Sequence, residues 1–132
     1  MSRLEIHPLT ADFLDDAARL LAERHRRHRA AEPLLLPRYE EPPAARAEIE
    51  ALLTRDEADG VAATRDGDVV GFLIGIRSPD DVWGPNVWVE PAGHAPERAD
   101  DVRWRVTNLR SSRFWPARGF RTTFLRLHRL IA

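Results

Sequence analysis

The chain has 132 residues, with twenty basic residues against twenty-one acidic ones and no cysteine. That length suits one domain, residues 1–132, around one hydrophobic core. The missing cysteines exclude disulfides and thiolate metal sites, and the near-neutral charge gives no electrostatic reason to expect nucleic acid.

Every basic residue is arginine, so Schiff-base chemistry and a Walker-type lysine are excluded as well. No apolar run approaches the ~18–20 residues that a membrane span requires. The first ten residues, MSRLEIHPLT, lack the apolar core of a signal peptide. The expected setting is cytoplasmic, with no membrane partner.

The first predicted element is a short strand over residues 4–10, where Leu4 and Ile6 alternate with polar positions. Thr10 is a suitable N-cap for the helix that follows. Phe13, Ala17, Leu20 and Leu21 recur at helical spacing and give that helix one apolar face. It ends in the basic run ERHRRHR, residues 23–29, which suits a helix C-terminus. The run reads as a solvated face. His25 and His28 share that face, but a metal needs a third ligand and the surrounding arginines repel a cation. A basic-helix adaptor for nucleic acid through residues 24–29 is the weakest functional option, since one run in a chain of net charge −1 is little evidence.

Residues 31–43 hold four prolines and cannot form one continuous helix. They form a loop or lid, with Leu34 to Leu36 expected to tuck inward. A second helix starts near Pro43 and ends near Arg55, with Ala45, Ile49, Leu52 and Leu53 on its apolar face. Residues 60–76 form a hairpin around Asp66-Gly67, a pair that supplies the positive φ angles of a tight turn. Its second arm, Val69 to Ile76, is apolar on both faces and should be a central strand. A loop leads to another strand over residues 86–90. Residues 91–101 carry no clear signal. A short strand over 102–106, a helix over 109–118 stopped by Gly119, and a long closing strand complete the prediction. A hairpin in mid-chain argues against a doubly wound parallel sheet. The expected class is α+β, with a twisted, mostly antiparallel sheet of about six strands flanked by helices.

This order resembles the GCN5-related N-acetyltransferase (GNAT) family, and several motifs carry the resemblance. RDGDVVGFLIG is similar to the family's central hairpin. Asn108, Trp115, Gly119 and Phe120 repeat the spacing of its final motif, in which an asparagine is followed by an aromatic and a Gly-Phe pair. Val89-Glu90-Pro91 matches the V-x-P that opens the family's acetyl-CoA loop. In that alignment His94 takes a Gln/Arg place, while Glu97 and Ala99 take the places of small residues. Pro96 lacks an N–H, and Glu97 would repel phosphates. The stretch 91–103 is short for a loop plus a full helix.

The resemblance implies an N-acetyltransferase that moves acetyl from acetyl-CoA to a primary amine of a small molecule or peptide. It places backbone groups of Val87, Trp88 and Val89 along the pantetheine arm and gives Asn108 a hydrogen bond to the cofactor. Asn108 is equally explained as a helix N-cap. Trp115 stands where many members have an acidic tyrosine, and it either packs in the core or lines a cofactor channel. Glu90 is the candidate base for the acceptor amine. The alternative is a catalytically degenerate module of the same fold that binds or dimerises through sheet surface left bare by a thin helical layer.

Overall fold

The computed structural model describes residues 3–79 and 84–97. The chain opens with strand β1, Leu4–Pro8. A 3-10 turn over Ala11–Phe13 leads into helix α1, Leu14–Ala31. Thr10 precedes the turn, but its hydroxyl makes no capping hydrogen bond. Helix α2, Pro42–Leu53, begins on two prolines, which fit the first turn because its N–H groups have no partner within the helix.

The hairpin follows as predicted. Strands β2, Ala58–Arg65, and β3, Asp68–Ser78, flank Asp66 and Gly67. Both turn residues have positive φ, 53° and 90°, as a two-residue hairpin of matching twist demands. β1 pairs with β2 and β2 with β3, all antiparallel, with an irregularity in the hairpin at Ala63/Thr64. β3 is central, as its two-sided apolar pattern predicts.

The far edge of β3 carries two short strands in succession. β4, Asn86–Trp88, pairs with Ser78, Arg77 and Ile76. β5, His94–Pro96, pairs with Leu73, Phe72 and Gly71. The strand predicted over 86–90 thus stops two residues early, and residues 91–96 are not an open loop. Pro91–Gly93 make a 3-10 turn, and the chain then returns to the sheet. The described architecture is an antiparallel five-stranded sheet with two helices, an α+β fold.

The helices lie against one face of the sheet. Leu20, Leu21, Ile49 and Ile74 are fully buried and form the centre of the core. Phe72, Ala92 and Ala95 join the same cluster, so the turn after β4 is part of the core. Burial of a leucine or isoleucine side chain contributes about 1.5–3 kcal/mol. Arg46 of α2 donates to Asp15 of α1 and to Glu50 on its own helix. Those two carboxylates, Glu50 first, hold its guanidinium above its usual pKa.

On the opposite face the register aligns Leu4, Ile6, Val61, Leu73 and Val87, because paired residues and alternate residues share a face. All five are exposed among the described residues. Leu34 is 90% exposed and Leu36 also faces solvent, contrary to the expectation that the Pro-rich loop tucks its leucines inward. Tyr39 fills that role instead, buried against His25.

Candidate functional site

The candidate site is built where the sheet edge breaks. Between the two stretches paired with β3 lie five residues, Val89 to Gly93, opposite only Ile74 and Gly75. The surplus of three residues is an extended bulge. Bulges re-aim side chains and free backbone groups from the ladder, and they concentrate next to active sites. Glycines stand on both sides of this one, Gly93 within the bulge and Gly75 opposite. A Cβ on Gly93 would lie 3.1 Å from the Ile74 carbonyl oxygen, and a Cβ on Gly75 would lie 2.8 Å from Val87 Cγ1. The second distance is one that real Cβ atoms essentially never show, so a side chain at position 75 would force Val87 to shift.

Helix α1 braces the bulge from behind. Arg24 is only 6% exposed. Its Nη2 donates to the Pro91 carbonyl at 2.6 Å, its Nη1 donates to the His94 carbonyl, and Nη1 lies 3.5 Å from His94 Nε2. The planar fork of a guanidinium suits two carbonyls fixed this way, and charged hydrogen bonds are the stronger kind.

Three more members of the basic run are occupied. His25, 7% exposed, donates Nε2–H to the Leu36 carbonyl at 2.6 Å. Arg26 donates to the Glu40 carbonyl, and Arg29 donates to the Leu35 carbonyl, each at 2.8 Å. Arg29 also pairs with the Glu40 carboxylate. The expectation of a solvated basic face is therefore corrected at Arg24 and His25. The run fastens the Pro-rich loop and the bulge to one helix. No sequence signal identified this, because periodicity says which face a residue occupies and not whether a distant carbonyl awaits it.

The sequence-predicted residues fall as follows. Val87 is 61% exposed on β4 opposite Arg77. Trp88 follows opposite Ile76, and Val89 lies at the start of the bulge; both are about half exposed. Glu90 precedes the 3-10 turn, with Arg55 Nη1 3.6 Å from its carboxylate. One short edge segment thus brings Val87, Trp88, Val89 and Glu90 together. Asn108 and Trp115, the strand over 102–106, the helix over 109–118 and the closing strand lie outside the described residues. So does Ala99 of the loop alignment. His94 and Pro96 stand in β5, and the Glu97 N–H donates to the Val70 carbonyl at 2.8 Å. As far as Glu97, then, the stretch after V-x-P is a turn and a strand, and does not present a row of amides to an anion. Among the described residues, no group of three or more His, Asp or Glu side chains could hold a metal ion, and no helix is long and apolar enough to cross a membrane.

No family model matches the sequence, and no curated protein matches it. Solved structures do share its fold. A possible acetyltransferase from Clostridium difficile 630 matches at 16% identity, over 83% of this chain and 69% of that one, with a TM-score of 0.55. An aminoglycoside 6'-N-acetyltransferase from Acinetobacter baumannii matches at 18% identity, over 86% of this chain and 71% of that one, with a TM-score of 0.52. An aminoglycoside N-acetyltransferase solved in complex with CoA matches at 21% identity, over 93% and 91% of the two chains, with a TM-score of 0.51. At these identities the likeness speaks for the fold, and the fold of this chain is that of the GCN5-related N-acetyltransferases.

Proposed function

We propose that the protein is an N-acetyltransferase that uses acetyl-CoA and a primary amine of a small molecule or peptide, acting as a single domain in the cytoplasm. The observation that carries this reading is the break in the sheet edge at Val89 to Gly93, in a fold shared with acetyltransferases. A strand edge can pair with an amide-bearing chain by strand addition, and the pantetheine arm of CoA carries such amides. The half-exposed Val87, Trp88 and Val89 supply the backbone and apolar contact for it. Asn108 and Trp115 complete the channel in this proposal.

Acetyl-CoA supplies the acyl group as a thioester. The protein's part is to fix that group beside the amine and to take a proton from it. Glu90, which follows Val87 to Val89 in the same segment, is the proposed base for the second task, since a carboxylate acts as a base only within reach of the proton. Positioning supplies the rest. Calorimetric titration with acetyl-CoA and free CoA tests the proposal. Saturable micromolar binding is expected. No heat and no thermal shift at millimolar ligand would exclude it.

A second reading has its own observation. Leu4, Ile6, Val61, Leu73 and Val87 form an exposed apolar sheet face, which suits a module that self-associates through this face. Sedimentation velocity separates the two readings. A dimer that ignores acetyl-CoA, and that Leu73→Asp dissociates, favours the second.

A further inference from the structure

We infer that Arg24 is the positioning residue of the candidate site, acting through the bulge rather than on a substrate. The inference rests on the acetyl-CoA reading for its functional half and on geometry alone for its structural half. Five residues, Val89 to Gly93, must be held away from β3, where only Ile74 and Gly75 face them. The surplus has no ladder partner on β3; it closes on itself through the Gly93 N–H, which donates to the Glu90 carbonyl at 2.8 Å, and the ends of that turn are held by neighbouring elements. Gly93 fixes one side by lying against the Ile74 carbonyl. Arg24 fixes the other by gripping the Pro91 and His94 carbonyls, one at each end of the turn.

The grip comes from a helix 67 and 70 residues earlier in the chain, so it ties the strand edge to the core. The same helix, one residue further on, holds the Pro-rich loop through His25 and Leu36. Arg24 thus sets where the edge opens relative to the helical layer. A lysine could not replace it. Its ammonium is one point on a flexible stem and cannot span two carbonyls in a fixed plane.

The test uses Arg24→Met and Arg24→Lys, with Arg27→Met on the same helix as control. Amide hydrogen exchange and acetyl-CoA titration are read together. Both Arg24 variants are expected to speed exchange over residues 89–95 at least ten-fold, leave the amides of α2 unchanged, and weaken acetyl-CoA binding at least ten-fold. The control should do neither. If Arg24→Met fails to fold, Arg24→Lys, which keeps a buried cation, is the variant to read. Exchange that is unchanged over 89–95, or that rises equally throughout the chain, overturns the clamp. Faster local exchange with unchanged affinity overturns its role in positioning. If the parent protein itself does not bind acetyl-CoA, the acetyltransferase reading falls with it, and exchange over 89–95 alone decides whether Arg24 holds the bulge.

Discussion

His25 and Tyr39 pack edge to face, with ring centroids 5.0 Å apart and planes inclined at 66°. His25 also donates to the Leu36 carbonyl, so its Nε2 carries the proton and its ring is fixed. Tyr39 is the buried residue of the loop between α1 and α2. Tyr39→Ala should therefore cost about 3 kcal/mol in denaturant unfolding, the usual scale for an aromatic truncated in a core. Tyr39→Phe keeps the ring and should cost under about 1 kcal/mol. Equal losses from the two variants would mean that the hydroxyl, and not the ring, holds the loop.

The hairpin turn gives a prediction that rests on the backbone alone. Gly67 has φ of 90°, and a Cβ there would meet nothing within 4 Å. Gly67→Ala has no clash to relieve, yet should destabilise by about 1 kcal/mol or more, because an L-residue resists that angle. Equilibrium unfolding measures it. A neutral result would show that the turn shifts to another type at no cost.

These two sites also show why parts of the fold were legible and others were not. Asp66-Gly67 is a local signal, since the turn's geometry is a property of the two residues themselves. The helices were legible for a related reason: Ala17, Leu20 and Leu21, like Ala45 and Ile49, reveal a face by spacing. β5 left no such trace. His94-Ala95-Pro96 is three residues long and holds a proline, and it becomes a strand only because β3 is there to receive it. Arg24 and His25 looked like members of a solvated run because their acceptors, Pro91, His94 and Leu36, are remote in sequence or lie in a loop. The strand holding Val87 to Glu90 is read from its residue pattern, and only its role at a site comes from the family resemblance. The bulge that gives it a shape follows from a register count that needs coordinates.

Gly75 and Val87 should be energetically coupled. A Cβ on Gly75 would sit 2.8 Å from Val87 Cγ1, so Gly75→Ala overpacks the β3–β4 contact and should cost about 1–3 kcal/mol. Val87→Ala removes the offending methyl and should by itself cost little at an exposed position. The double variant should recover most of the loss, giving a coupling of at least ~1 kcal/mol in a double-mutant cycle. Simple additivity would show that strand β4 moves as a whole to admit the methyl.

Glu90 separates catalysis from surface pairing. Its carboxylate is about half exposed, with Arg55 3.6 Å away, and an exposed pair of that kind contributes under about 1 kcal/mol to stability. Glu90→Gln should leave the unfolding midpoint close to the parent value for that reason. If Glu90 accepts the acceptor's proton, the same change should lower kcat by about 10²–10⁴, the usual contribution of a general base. Acetyl-CoA affinity should stay within about two-fold, since the backbone of Val87 to Val89 and not the carboxylate is proposed to hold that ligand. Arg55→Ala provides the contrast, as it removes the ion pair and leaves the carboxylate in place. Substantial activity in Arg55→Ala with little in Glu90→Gln assigns the role to the base. Equal activity in both variants and the parent would leave Glu90 as one half of a surface pair and place the proton acceptor elsewhere, with water as the simplest alternative.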